Sequence, residues 1–459
     1  MPSTDQIAAD LRSRIEGSVV KAGDTDWDVA RRAFNLVIDQ RPAAVAFPSS
    51  AADVAQVVRY ARENGLRVAP QLTGHNAGPL GPLDDTILLK TTWMTGVEID
   101  PAARRARVRA GEVWGNVVGP AAEHGLAALH GSSPTVGVVG YSLGGGLGWL
   151  GRKHGLNANS VTAVEIVTGD GTLVRADRDN EPELFWAVRG GGGNFGVVTA
   201  IEFDLFPVTE LYAGVMFFPF ERAGEVLHAW HEWAAEVPDE VTSIGRLLQF
   251  PPLPTIPEQL RGRSFSVVEA AYLGDGAGGA ELMAPLRELG PETDTFATVP
   301  APALSHMHMD PPEPVPSLTE HHMVGKLPAE GIDALIEVAG PGSGSPLLSM
   351  ELRHLGGALA RSGPDHGALD TLRGDYMAFG VGVPITPELA AAARETFGRV
   401  GEALAPYESG CVYPNFQERP ADADRMFEQD ASRRLSAVRA EHDPEGVLRA
   451  NHVVEPVAA

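Results

Sequence analysis

Apolar residues in the N-terminal half of the chain switch repeatedly between a spacing of two and a spacing of three or four, which predicts short strands alternating with helices. Residues 43–47 form a brief apolar strand, after which Ser50 caps a helix carrying Val54, Val57, Val58 and Ala61 until Gly65 stops it. A second strand, 67–69, runs directly into Pro70-Gln71-Leu72-Thr73-Gly74-His75-Asn76-Ala77. Strands follow at 87–89, 97–99 and 105–110, and Trp114, Val117, Val118 and Ala121 mark a helix closing at Gly125. The runs 161–168 and 172–174 flank Gly169-Asp170-Gly171, a hairpin signal, while Glu181, Pro182 and Glu183 open a short helix. In 199–205, Ile201, Phe203 and Leu205 alternate with Glu202 and Asp204 before Pro207 ends the region.

Beyond about Leu211 the strand-like stretches lengthen (214–220, 264–273, 348–355, 376–383) and alternate with helices such as Ala223–Glu236. Proline-rich connectors lie at 251–257 and 311–316. This texture predicts an antiparallel sheet covered by helices. From Cys411 a closing element follows, with a charged helix at 433–442 stopped by Asp443-Pro444-Glu445-Gly446. The expected class is α+β in three parts: 1–207, a substrate-side domain 208–410, and a C-terminal segment 411–459. At 459 residues and 44% apolar content the chain exceeds one hydrophobic core and can fill more than one.

Charge narrows the partners. A formal net charge of −24, from 36 basic and 60 acidic residues, argues against nucleic acid or an anionic membrane, both of which select for clustered Lys and Arg. The expected partner is a small neutral or apolar molecule, met by a monomer or homodimer. One cysteine, Cys411, leaves no disulfide within the chain and no multi-Cys zinc or iron–sulfur site. The opening MPSTDQIAADLRSRIEG has no apolar core behind a basic flank, and no window approaches ~18 uninterrupted apolar residues, so cytoplasmic residence is expected.

His75 alone reads as a loop histidine; its company changes that. Downstream stand Gly131-Ser132-Ser133-Pro134-Thr135-Val136-Gly137, Gly144-Gly145-Gly146, and Gly190-Gly191-Gly192-Gly193-Asn194-Phe195-Gly196. Gly146-Leu147-Gly148-Trp149-Leu150-Gly151 fits the GxGxxG dinucleotide fingerprint, with Asp170 beyond it, as in an NAD-dependent Rossmann dehydrogenase. The fingerprint requires a strand before it, and 134–143, holding Pro134, Gly137 and Gly140, reads as an irregular loop. Two readings of 132–148 stay open: backbone N–H groups approaching a diphosphate or flat ring, or a tight crossing of backbone. The run 190–193 adds a second site of close approach.

In order and spacing these motifs resemble the berberine-bridge-enzyme-like FAD-linked oxidases of the vanillyl-alcohol-oxidase or PCMH-type flavoprotein superfamily. The likeness runs from Arg41-Pro42 through Gly74-His75, Ser133 to Gly137, Arg152-Lys153-His154-Gly155, Leu184 to Gly190 and Asn194 to Thr199. It ends at Tyr413-Pro414-Asn415-Phe416 and Leu448-Arg449-Ala450-Asn451. The resemblance implies a PCMH-type FAD-binding domain of two α+β subdomains over 1–207. It also implies FAD joined through its 8α-methyl to His75. The cofactor wall would comprise Gln71, Leu72, Thr73, Gly74, Asn76, Ala77, Ser132, Ser133, Val136, Gly137, Gly140, Tyr141, Gly144, Gly145, Gly146, Gly196, Val198, Asn415 and Asn451. Ser133 stands where many members carry a second, cysteinyl attachment, so His75 is the single expected tether. Gln71 replaces an arginine, leaving the pyrophosphate to backbone N–H groups, and Tyr141 replaces a histidine at the pyrimidine end. Val136 matches a position at which valine is associated with O₂-reactive oxidases.

Hydride transfer to flavin N5 needs a partner base. The resemblance makes Tyr413 the first candidate, although an ordinary phenol is a poor base near neutral pH. Glu351 is the second; it shares a strand face with Arg353 by the period of two, while His354 takes the other, and Glu269 and Tyr272 lie on a neighbouring predicted strand. His306, His308, Asp310, His321 and His322 read as a proline-rich loop rather than a metal site, with His306 and His308 as alternative substrate contacts. The expected protein is an oxidase that takes a hydride from a small secondary metabolite, releases H₂O₂ and can close a ring. Its rivals are the NAD-dependent dehydrogenase and a catalytically inert flavin- or ligand-binding protein.

Overall fold

The computed structural model describes residues 2–456 apart from 253, 255 and 257, so the connector at 251–257 lies partly outside the described residues. Three sheets organise the chain, and the architecture is the α+β one expected from the sequence. The first is small and mixed: Ser18–Val20, Ala44–Phe47, Thr86–Lys90 and Arg67–Gln71 lie side by side, the last three parallel. The helix Ala51–Glu63 covers it, and Ser50 caps that helix by accepting from Asp53 N. Val54, Val57, Val58 and Ala61 go into the core beneath, as their helical spacing predicts.

The second sheet is antiparallel, ordered Val97–Asp100, Arg105–Arg109, Val197–Asp204, Val161–Val167, Leu173–Asp177. Its core takes in Tyr413, Leu435 and Val438, so the segment after Cys411 packs back onto the N-terminal region. Val447 O accepts from Val68 N and Arg449 N donates to Val68 O, which lays the chain end along the strand that leads to His75.

The third sheet has eight strands, with Glu210–Pro219, Ser264–Tyr272, Val241–Gln249, Leu347–His354, Tyr376–Gly382 and Leu318–Val324 in spatial order and antiparallel pairing. The helices Ala223–Glu236, Ala329–Ala339 and Pro387–Leu404 bury one face through Trp230, Ile332, Leu335, Phe397 and Val400. The opposite face looks toward the loops of the first two sheets. Two of these strands were not expected: Val241–Gln249 and Leu318–Val324 mix polar residues into both faces, which hides the alternation. The supposed irregular loop at 134–143 is a correction too, since Val138–Leu143 is a short helix entered from extended Gly137. Among the described residues no helix is long and apolar enough to cross a membrane.

Candidate active site

One continuous cavity of about 1300 Å³ lies between the cavity face of the third sheet and the loops of the first two. A single small ligand needs ~300–1,000 Å³, so a dinucleotide and a small substrate fit together. Gln71 to Asn76 form one wall, continued by Ser132, Ser133, Val136, Gly137, Gly140, Tyr141 and Gly144, then by 190–193, Gly196, Val198, Asn415 and Asn451. A Cβ on Gly192 would meet only Asn194 Nδ2 at 3.9 Å and one on Gly193 only Pro70 at 4.0 Å, so bare backbone faces the cavity there. Asn76 Oδ1 is buried with no hydrogen-bond partner, an acceptor left for a ligand. These residues fit FAD.

His75 stacks on Phe34 with ring centroids 3.7 Å apart, its Nδ1 2.8 Å from Thr73 Oγ1 and its Nε2 3.4 Å from Thr135 Oγ1. Burial depresses its pKa to about 4 against the opposing pull of Asp310, so the ring is neutral near pH 7 and keeps a nucleophilic lone pair. Ser133 Oγ sits 3.0 Å from Thr135 Oγ1, a hydroxyl in line with His75 and no thiolate. Cys411 Sγ faces Arg373 O at 3.1 Å and is not part of the cavity wall. The loop is pinned by the chain end: Asn451 Nδ2 donates to Asn76 O, and Asn76 Nδ2 donates to Pro414 O at 3.1 Å.

Behind this wall, Lys90 Nζ donates to Gln71 Oε1 at 2.7 Å, Arg32 O at 2.9 Å and Leu72 O at 3.4 Å. It is buried, and burial lowers its pKa to about 8. With Gln71 Oε1 held by the ammonium, the Gln71 amide N–H₂ is the end left for the cavity. A cation thus stands one layer behind the position where the resemblance expects an arginine.

Four expected cofactor or catalytic residues lie off the wall: Ala77, Gly145, Gly146 and Tyr413. The glycines at 144–148 serve protein crossing protein. An added Cβ would lie 1.9 Å from Asn415 Oδ1 at Gly144, 2.6 Å from the Tyr141 ring at Gly146, and 1.9 Å from His130 O at Gly148. At Gly145 it would lie 3.1 Å from the Tyr413 ring, with φ at +113°. The Rossmann reading fails here, because a helix rather than a strand precedes Gly146 and these glycines are filled from within. Tyr141 lines the cavity with its ring, but its hydroxyl donates to Leu129 O at 3.0 Å instead of being offered to a cofactor. Tyr413 is buried; its hydroxyl accepts from Asn415 Nδ2 at 3.3 Å and from the N–H groups of Gly146 and Leu147. Burial pushes its pKa well above the ordinary phenol value, outweighing those hydrogen bonds and the nearby Arg353, so it is no proton acceptor in this state.

The facing wall is where ionised groups gather. Strand register sets Arg246 opposite Glu351, and Glu351 opposite Phe379, all on the cavity face. The parity argument for Glu351 and Arg353 holds: both line the cavity, while His354 turns to Arg152, 2.8 Å away. Arg353 Nε and Nη2 donate to Glu351 Oε1 at 3.1 and 2.8 Å. Arg246 Nη1 donates to Glu269 Oε1 at 3.0 Å, and His308 Nδ1 lies 2.5 Å from Glu269 Oε2. Burial alone would raise the Glu269 pKa; His308 and Arg246 outweigh it and hold it at about 2. Asp310 accepts from Ser132 Oγ at 2.6 Å and ties the two walls together. Apolar Leu248, Phe250, Val381 and Ile385 complete this side.

The histidines of 306–322 scatter. His306 is off the wall, His321 Nε2 accepts from Tyr413 N at 2.9 Å, and His322 Nδ1 pairs with Glu408 at 2.7 Å. Leu304–Met307 is helical and both later histidines are on a strand, against the loop expected from the prolines. Among the described residues no three His, Cys, Asp or Glu side chains converge on a metal position. Phe34, Lys90, Arg246 and Glu418 were not singled out from the sequence. Only Arg246 left a trace there, as a lone arginine in the apolar run Ile244 to Leu248.

Residues 42–177 match the family described as FAD binding domain. (R)-6-hydroxynicotine oxidase of Paenarthrobacter nicotinovorans is 41% identical over 192 residues, 42% of each chain. Xylooligosaccharide oxidase of Thermothelomyces thermophilus is 32% identical over 222 residues, 47% of this chain and 45% of that one. The aligned stretch thus spans less than half of these curated relatives. Among solved structures, 6-hydroxy-D-nicotine oxidase from Arthrobacter nicotinovorans has a TM-score of 0.81 at 27% identity, covering 94% of this chain and 96% of that one. A variant of berberine bridge enzyme has a TM-score of 0.83 at 19% identity over 98% and 100%, a likeness of fold.

Proposed function

We propose that this chain is a berberine-bridge-like FAD-linked oxidase of the PCMH-type superfamily and that it oxidises a small organic molecule at a C–H bond next to a hydroxyl or amine. His75 is the single covalent anchor of FAD in this reading. FAD, when bound, supplies a two-electron acceptor that O₂ restores with release of H₂O₂. The observation that carries the proposal is the pairing of walls: open backbone and a neutral His75 on one side, and Arg246, His308, Glu351 and Arg353 on the other, within one cavity.

The residues divide the work. The loop Gln71 to Asn76 and the bare backbone at Gly192 and Gly193 face a phosphate-bearing cofactor. Leu248, Phe250 and Val381 exclude water and hold an apolar substrate body, which raises the strength of every polar contact nearby. Glu351 and Asp310 suit a substrate N–H or O–H, in keeping with relatives named for 6-hydroxynicotine and for xylooligosaccharide. Val136 on the cofactor wall supports O₂ as acceptor.

Mass spectrometry of the intact and peptic-digested protein tests the anchor. FAD mass on the peptide holding His75, with none on the Ser133 peptide, is expected; flavin released by denaturation alone would refute the tether. Anaerobic mixing with amines and alcohols tests the activity, because an inert flavin carrier would never bleach.

A further inference from the structure

Removing a hydride from a carbon bearing X–H (X being O or N) leaves a proton to be taken, and the ionisable groups of the facing wall are placed to take it. Glu351 Oε1 is occupied by two N–H groups of Arg353. Glu269 is fully buried, off the cavity wall and held at about pKa 2. Tyr413 is protonated and sealed away. His308 remains. It lines the cavity, with its side chain fixed by groups on three strands.

The contacts around its ring assign the tautomer. Glu269 Oε2, an acceptor only, lies 2.5 Å from Nδ1, so Nδ1 carries hydrogen. In the neutral ring Nε2 then holds the lone pair. Facing Nε2 are Arg353 Nη2 at 3.4 Å and Glu351 Oε2 at 3.3 Å. That second oxygen of Glu351 is buried with no hydrogen-bond partner of its own. A buried carboxylate oxygen without a donor is costly, and a proton arriving on Nε2 would supply the donor. Arg246 Nη1 lies 3.4 Å from Nδ1, Asp310 follows two residues on, and the Trp149 ring packs 6.3 Å from the imidazole.

We propose that His308 is the catalytic proton acceptor, with Glu269 as its positioning residue and Glu351 Oε2 as the partner of the protonated Nε2–H. This rests on the oxidase reading above. The C–H electron pair leaves with the hydride to the FAD acceptor, C–X becomes C=X, and the X–H proton passes to His308 Nε2. The arrangement is that of a histidine base oriented by a buried carboxylate.

The test is anaerobic stopped-flow reduction of the flavin-loaded enzyme across pH, for wild type, His308→Gln and Glu269→Gln. His308→Gln should keep its flavin and its visible spectrum, slow reduction by about 100-fold or more, and lose the acid limb of the profile. Glu269→Gln should keep that limb but move it to lower pH, since removing the carboxylate charge makes the imidazolium less favourable. Exogenous imidazole should restore part of the rate to His308→Ala, which a merely structural role would not allow. In ¹⁵N-histidine protein, the His308 ring should report Nδ1–H in wild type. Reduction of His308→Gln at the wild-type rate, or an Nε2–H tautomer in the ring spectrum, would overturn the proposal while leaving the oxidase reading intact. A wild-type flavin that no amine or alcohol bleaches would overturn that reading and this step with it.

Discussion

Replacing Lys90 by Met tests whether a buried cation underlies the cofactor wall. Lys90 is 5% exposed, and burial lowers its pKa from 10.5 to about 8. That depression corresponds to about 3 kcal/mol by which the flavin-free fold disfavours the ammonium at neutral pH. Between pH 8 and 10.5 the unfolded chain holds more of this proton than the folded one, so stability rises with pH in that window; below pH 8 the penalty is complete. Opposing it are the hydrogen bonds to Gln71 Oε1, Arg32 O and Leu72 O, worth about 1 kcal/mol each. The two sides nearly cancel at pH 7.

Urea unfolding of flavin-free protein, in a His75→Ala background from which cofactor can be dialysed, should therefore find Lys90→Met close to its parent at pH 7. At pH 10.5 it should be about 3 kcal/mol less stable than the parent. Lys21, Lys153 and Lys326 are common to both proteins, so the difference isolates Lys90. A diphosphate bound beside Gln71 would offset the cost of the buried ammonium. FAD affinity should fall about 10- to 100-fold in Lys90→Met, equivalent to roughly half or more of that penalty. Gln71→Arg added to Lys90→Met should recover it. A pH-independent stability difference, with unchanged FAD affinity, would refute the argument.

Tyr413→Phe should reduce its flavin within about threefold of wild type in stopped flow, because the phenol is sealed from the cavity; the lost hydrogen bonds should cost about 1–2 kcal/mol in thermal unfolding. Gly144→Ala drives a Cβ to 1.9 Å from Asn415 Oδ1 and should break the Asn415 Nδ2 bond to Tyr141 O, lowering stability by about 1–3 kcal/mol by denaturant titration. Burial pushes the Glu418 carboxyl up to about 7 against hydrogen bonds from Thr319 and Asn35. With the folded value above the unfolded one, stability is lost as pH rises from 4.5 through 7. Glu418→Gln should therefore stabilise the protein by up to about 3 kcal/mol at pH 8 and by little at pH 4.5, read from Tm against pH.

What the sequence disclosed depends on how local each feature is. Ser50 caps its helix with a contact three residues away, and a strand followed by a turn positions His75 within one short segment. Parity along one strand put Glu351 and Arg353 on a common face and His354 on the other. Arg246 and His308 were harder. Arg246 meets Glu351 only through register between non-consecutive strands, and His308 reaches Glu269 from a proline-flanked segment whose prolines suggested a free loop. Phe34 gives no pattern of its own, since its stacking partner belongs to another segment. The two glycine runs look alike in sequence, yet Gly192 and Gly193 bare backbone to the cavity while 144–148 accommodates Tyr141, Tyr413, Asn415 and His130. Composition says nothing about which atoms arrive from elsewhere.

The two walls therefore carry different constraints. On the cofactor side, position is fixed by backbone: the strand Arg67–Gln71 is flanked by Thr86–Lys90 and by the chain end at Val447 to Arg449, and Asn451 and Pro414 hold the loop at Asn76. Moving any of these moves His75. On the facing side, Leu248, Phe379 and Val381 project from a continuous antiparallel sheet whose other face is anchored by helices. Each can change without shifting register, since alternation leaves the buried face untouched. Arg246, Glu269, His308, Glu351 and Arg353 differ from these, because removing one leaves buried charge unpaired. Substitution of the apolar roof residues should thus change which molecule is accepted while preserving both the flavin anchor and the proton-handling cluster.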